Sequence, residues 1–247
     1  MPTKETSRFG SAFLQSPDEW SIRNRFLADC MCELAAPHLA PSAERGLDVG
    51  CQQGALTDLY AAGTGLRFDG IDPVIEESGE TGAGHYLCHG SAESIPFPDQ
   101  SFSLVVFANV FEHVDPANRT AALTEIKRVL TPDGVVVGQI PNPWFPIESH
   151  SRLPFMGWLP EKAQVPYWRF SPTPWAKEPG SKAGIFYSAD RSHLRTAAAE
   201  ADLHIAALSP FNYPIGVMPR NLRPIVRALE RPMRALPWAW QFVLTTE

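Results

Sequence analysis

Apolar and polar positions run along this chain in blocks that switch between helical and strand periods. Phe26, Leu27, Met31 and Leu34, with Trp20 ahead of them, mark one buried helix face; Ser16 and Pro17 give a start signal, and the pattern ends near Ala36, before Pro37. Arg45–Val49 then reads as a strand, and Ala55, Leu56, Leu59 and Tyr60 return to helical spacing. A second strand over 66–71 closes on Asp72-Pro73, and a third over 85–89 follows a polar, glycine-rich loop at 76–84. Residues 102–108 are an apolar run, the signature of a strand buried on both faces. An amphipathic helix is expected over 116–130, a stop-and-turn at Thr131-Pro132-Asp133-Gly134, and a fifth strand over 135–140.

Beyond a long interruption, residues 188–201 read as a helix with Ser188 as N-cap, 203–208 as a sixth strand, 219–236 as a basic, apolar helix and 238–245 as the last strand. Strands that alternate with helices in this way call for an α/β fold, a mostly parallel sheet with helices on both faces. Seven strands are expected in one domain spanning 1–247. Residues 17–38 cover it, 45–140 form its core, 141–187 are inserted after strand five, and 188–247 complete the sheet.

The insertion at 141–187 holds nine of the 24 prolines and four of the seven tryptophans, Trp144, Trp158, Trp168 and Trp175. A connection of that length without its own elements is uncommon in a compact domain and is usually functional. It follows the C-terminal end of a parallel strand, where open α/β sheets bind ligands, so it reads as a substrate lid. An aromatic-rich homodimer interface is the competing reading.

Composition narrows the partners. The 247 residues carry a formal net charge of −6, which argues against a broad nucleic-acid footprint. Arg220, Arg223, Arg227, Arg231 and Arg234 in 219–236 allow contact with a membrane surface, but Pro224, Pro232 and Pro237 interrupt that helix; a solvated face is the simpler reading. Residues 1–5 lack an apolar signal core, and no apolar run reaches membrane-spanning length, so a cytoplasmic protein is expected. Cys30, Cys32, Cys51 and Cys88 have neither zinc-site spacing nor a second close pair, which points to free thiols and no bound metal.

The candidate chemistry centres on Asp48-Val49-Gly50-Cys51-Gln52-Gln53-Gly54. A strand, a glycine-punctuated turn and a helix bring backbone N–H groups and a helix N-terminus to one point. The spacing is not G-x-G-x-x-G: Gln52 occupies the middle glycine's place and would crowd a pyrophosphate, which disfavours an NAD(P)-dependent oxidoreductase. Asp72 lies 24 residues after Asp48, where a carboxylate can accept from ribose hydroxyls.

This turn resembles motif I of the class I S-adenosylmethionine (SAM) methyltransferases, D-x-G-x-G-x-G, with Asp48, Gly50 and Gly54 in place and Gln52 departing from it. Asp72-Pro73, the run from Gly90 to Phe102 and the run from Glu125 to Gly134 extend the resemblance. The last two are similar to the family's G-D-A-E-x-L-P-F-x-D-x-S-F-D and E-x-x-R-V-L-K-P-G-G, with Ser91 in place of the acid. A little under half the chain is covered. The resemblance is to the broad group built like the ubiquinone/menaquinone and small-molecule methyltransferases.

The resemblance implies a Rossmann-like sheet whose last strand is antiparallel and lies between strands five and six. It implies SAM as cofactor and S-adenosylhomocysteine as product, held by Asp48, Gly50, Cys51, Gln52, Gly54, Asp72, Pro73, Ser91, Ala92, Glu93 and Asn109. It implies methyl transfer to a small-molecule hydroxyl, of a sugar, glycolipid or secondary metabolite. A SAM-binding partner without catalysis, C-methylation of an isoprenoid quinone, and a basic-groove RNA methyltransferase are the alternatives. Deprotonating a hydroxyl needs a base. His150, with Glu148 as its partner, follows strand five and is the expected base; His113, in Phe111-Glu112-His113-Val114 after strand four, is the second candidate.

Overall fold

The structure, a computed structural model, describes residues 17–148, 150–151, 153–171, 189–214 and 236–247, together with Pro224 and Arg227. The Ser16 and Ser188 caps, Trp175 and nearly all of 219–236 lie outside the described residues. The elements are α1 (Pro17–Ala35), β1 (Arg45–Val49), α2 (Ala55–Thr64), β2 (Arg67–Ile71), β3 (Gly79–Glu80), β4 (Tyr86–Cys88), β5 (Phe102–Ala108), α3 (Arg119–Val129), β6 (Leu130–Pro141), α4 (Glu161–Trp168), α5 (Arg191–Glu200), β7 (His204–Phe211) and β8 (Ala239–Thr245).

The strands form one sheet in the order β3-β4-β2-β1-β5-β6-β8-β7. The five central strands β4, β2, β1, β5 and β6 are parallel, and β8 runs antiparallel between β6 and β7. The expected reversal of the last strand is therefore present. The strand count is corrected from seven to eight, because Gly79–Glu80, within the expected loop, pairs antiparallel with Tyr86–Leu87.

Period-two alternation assigns each strand residue to one of two cores. Val105, Phe107, Val136, Phe242 and Leu244 face a core completed by Leu123 and Ile126 of α3 and Leu194 and Ala198 of α5. Leu104, Val106, Val135, Val137 and Val243 face the other, closed by Leu27, Ala28 and Met31 of α1 and Tyr60 of α2. Helices thus cover both faces.

Three other boundaries move. Thr131–Gly134 stay within β6 as a bulge, since Phe102 pairs with Leu130 but Leu104 with Val135. The helix expected from Ser188 begins at Arg191, with Asp190 as N-cap; its carboxylate accepts from the Ser192 and His193 amides, and His193 completes a capping box. The start of the insertion is not structureless. Leu153, Met156 and Trp168 make a small core of their own, α4 forms over Glu161–Trp168, and Trp144, Phe155, Trp158 and Phe170 remain exposed. Among the described residues no helix is long and apolar enough to cross a membrane.

Candidate active site

The sheet topology brings the ends of β1, β2, β4 and β5 to one edge, and the expected cofactor residues arrive there together. Gly50 (φ 85°) and Gly54 (φ 81°) occupy left-handed backbone, where L side chains are strained. Their neighbours also demand glycine. A Cβ on Gly50 would lie 2.5 Å from Val110 Cγ2, and one on Gly54 would lie 2.8 Å from Leu87 Cδ1. Gln52 is left-handed too (φ 51°) and keeps its side chain exposed, which explains why a glycine suits that position and how a glutamine is tolerated there.

Asp72 is buried at the end of β2. Its Oδ2 accepts from the Gln52 amide at 2.9 Å and its Oδ1 from the Val74 amide at 2.9 Å. Pro73 follows on the surface of the same turn. Asp48 faces inward: Thr57 Oγ1 donates to it at 2.7 Å. Burial pushes its carboxyl up to about 7, opposed by the Thr57 bond and aided by Asp72. Asp48 thus braces the turn against α2. Cys51 is buried against Ile75 and Leu87, and burial pushes its thiol up.

Ser91, Ala92 and Glu93 form a tight turn closed by the Ser94 amide donating to the Ser91 carbonyl at 3.1 Å. Ala92 is buried, while Ser91 and Glu93 are half-buried. Sequence reading missed what anchors the loop that follows. Arg128 donates to the carbonyls of Phe97 (2.9 Å) and Ile95 (3.0 Å), to Asp99 (2.7 Å) and to Glu125 (2.8 and 2.9 Å). Glu125 in turn accepts from the Ile95 amide at 3.2 Å. The two long motifs are two halves of this one clamp. Asn109 adopts φ 57°, and its Oδ1 accepts from Gln139 at 3.1 Å, so its side chain is engaged across the strand ends.

The catalytic candidates also meet. His150 Nδ1 donates to Glu148 Oε1 at 2.8 Å, and the rings of His113 and His150 stand edge to face with centroids 5.3 Å apart. Burial opposes ionisation of Glu148, but His150 and the amides of Ser151 and His150 outweigh it and hold the carboxyl at about 2. Glu148 is thereby held ionised beside His150. A fourth member, Glu112, was not singled out from the sequence. It is buried, its Oε1 lies 4.0 Å from His150 Nε2, and neither oxygen receives a hydrogen bond from another residue. Burial pushes it up to about 7 against the pull of His150. Only tertiary packing reveals this environment. Between the end of β6, the start of β8 and the N-terminus of α5, a recess of about 580 Å³ is lined by Asn142, Trp144, Arg191, Arg195 and Trp240.

Comparison with known proteins decides what this edge belongs to. Residues 47–138 match the family described as a methyltransferase domain. This stretch is a class I SAM-dependent methyltransferase domain. The ubiquinone/menaquinone biosynthesis C-methyltransferase of Cupriavidus necator is 38% identical over 78 residues, a match covering 29% of this chain and 31% of that protein. The chain thus spans about a third of the length of the curated relative it matches. Solved SAM-dependent methyltransferases share the fold across most of both chains. That of Archaeoglobus fulgidus has a TM-score of 0.52 at 16% identity, covering 89% of this chain and 93% of that one. That of Methanosarcina mazei has a TM-score of 0.55 at 15% identity, covering 85% and 95%. The family match ends within β6, so it includes Glu112 and His113 but stops before Glu148 and His150.

Proposed function

We propose that the protein transfers the methyl group of SAM to a hydroxyl of a small-molecule acceptor. The observation that carries this reading is the convergence of the Asp48–Gly54 turn, Asp72 and the Ser91–Glu93 turn at one sheet edge, with the Glu148–His150 pair on the loop after the neighbouring β6. In this arrangement Asp72 accepts from the ribose hydroxyls and the Ser91–Glu93 turn meets the adenine. Methyl transfer from a sulfonium is an in-line displacement, so alignment of oxygen, methyl carbon and sulfur supplies much of the rate. Glu148 fixes the His150 imidazole, which receives the acceptor proton. Trp144 offers a ring face, and Arg195 and Arg191, the latter 4.6 Å over the Trp240 ring, offer cationic heads, a lining suited to a sugar or aromatic acceptor. The described part of the insertion, 141–148, 150–151 and 153–171, covers the acceptor.

Transfer to carbon of a quinone-type acceptor is the second reading, favoured by the Cupriavidus necator match, which lies within the cofactor-binding part. The two readings separate by experiment. Extracts of a deletion strain are incubated with the protein and SAM labelled in the methyl group, and the labelled product is treated with hydriodic acid. An O-methyl group leaves as labelled iodomethane. Label retained in the product indicates C-methylation, and no labelled product from any extract counts against methyl transfer.

A further inference from the structure

We infer that Glu112, His113 and His150 form a binding site for one divalent transition cation of the zinc class, on the acceptor side of the cofactor. One ligating atom from each residue lies within 4.8 Å of the others. Glu112 and His113 come from the turn after β5 and His150 from the loop after β6, so two adjacent strands deliver the set.

The state of Glu112 points to a ligand. It is a buried carboxylate whose two oxygens meet no hydrogen-bond donor from another residue, a costly arrangement unless something else is bound there. It is aimed at the site: Oε1 faces His150 Nε2 at 4.0 Å, too far for a hydrogen bond. His150 donates through Nδ1 to Glu148, so the neutral imidazole carries its electron pair on Nε2. With both groups deprotonated, two electron-pair donors face each other across a 4.0 Å gap, wide enough for an ion. With bonds of about 2.0–2.2 Å at a tetrahedral angle, each ligand pair would close to roughly 3.3–3.6 Å, within reach of side-chain rotation.

Two imidazoles and a carboxylate with one position open are a donor set of catalytic zinc sites. A carboxylate behind a ligating imidazole, the place Glu148 takes, is the common outer-shell partner. Borderline imidazole ligands favour such a cation over magnesium or calcium.

This inference rests on the reading of the cluster as the acceptor mouth and changes the agent that ionises the hydroxyl. An acceptor hydroxyl that fills the open position is acidified by the cation. Its proton passes to water, the oxygen forms a bond to the methyl carbon, and the carbon–sulfur bond breaks with its electron pair kept by sulfur. His150 is then a ligand, and the base role assigned to it above applies only without the cation.

The test uses full-length, chelator-treated protein dialysed against zinc chloride. Bound metal is counted by mass spectrometry, and affinity is measured by competition with a chromophoric chelator. One zinc per chain is expected. Glu112→Gln and His113→Ala should each lose at least about tenfold in affinity, and Glu148→Gln about 10–100-fold, as outer-shell substitutions do. Circular dichroism checks that each variant is folded. The absence of stoichiometric zinc, or equal affinity in folded Glu112→Gln and His113→Ala, overturns the site. If the chelator leaves methyl transfer intact while His150→Ala abolishes it, the cation has no part in the reaction and the base reading stands. If zinc binds as expected but no methyl is transferred to any acceptor, the proposed reaction fails and the cation site survives.

Discussion

Asp72 Oδ2 accepts a hydrogen bond from the Gln52 amide at 2.9 Å, so the end of β2 holds the turn that follows β1. One carboxylate thus shapes the glycine turn and faces the site proposed for the ribose. A hydrogen bond to a charged group contributes about 1.5–3 kcal/mol. Asp72→Ala should therefore weaken SAM binding tenfold or more in calorimetry, and unchanged affinity would remove Asp72 from the cofactor site.

Gly50 and Gly65 separate two causes of glycine preference. Both are left-handed, at φ 85° and 75°, but a Cβ on Gly65 meets nothing within 4 Å, whereas one on Gly50 meets Val110. Gly65→Ala should lower stability by about 1 kcal/mol through backbone strain alone. Gly50→Ala should lower it by at least about 2 kcal/mol, since overpacking adds to the strain. Val110→Ala combined with Gly50→Ala should recover part of that difference. Equal losses in urea denaturation for the two single variants would contradict the packing argument.

Arg128 ties the Gly90–Phe102 segment to α3 through Glu125, Asp99 and two carbonyls. A lysine keeps the charge but cannot reproduce the fork. Arg128→Lys should lower stability by about 2 kcal/mol. It should also raise protease cleavage between Ile95 and Gln100. A variant as stable and as resistant as the wild type would show the clamp to be dispensable.

Asp48 gives a pH dependence with a definite sign. Its folded-state value of about 7 lies above the ordinary 3.8. The folded state therefore binds this proton more tightly than the unfolded chain. The associated stability is fully present below pH 4 and is lost as pH rises through 7. Asp48→Asn keeps an oxygen for Thr57 and removes the titration. The stability difference, variant minus wild type, should grow in favour of the variant between pH 4 and pH 8. A difference that is flat with pH would show that Asp48 is not raised.

Much of this fold was legible because single residues announce it. The glycines at 50 and 54 mark a turn through backbone that other residues resist, and the apolar run Leu104–Ala108 of β5 requires cover on both faces. β3 escaped because Gly79–Glu80 has no apolar pattern; its pairing with β4 defines it. The start of α5 was misplaced because Ser188 and Asp190 are both good caps, and the His193 bonds select Asp190. Glu112 carried no signal, since its burial depends on contacts made across the fold. The Arg128 clamp joins residues 29 to 33 positions away in the chain, which periodicity does not connect.

Every role assigned above depends on which cofactor binds. A thermal-shift panel of the full chain with SAM, S-adenosylhomocysteine, NADH and NADPH measures this. At about 100 times its dissociation constant, a ligand stabilises the folded state by about 2.7 kcal/mol. For a domain of this size that is a rise of roughly 5–10 °C. Such a rise is expected with SAM and S-adenosylhomocysteine and none with NADH or NADPH. A rise with NADH or NADPH, and none with SAM or S-adenosylhomocysteine, would overturn the assignment of SAM to this site.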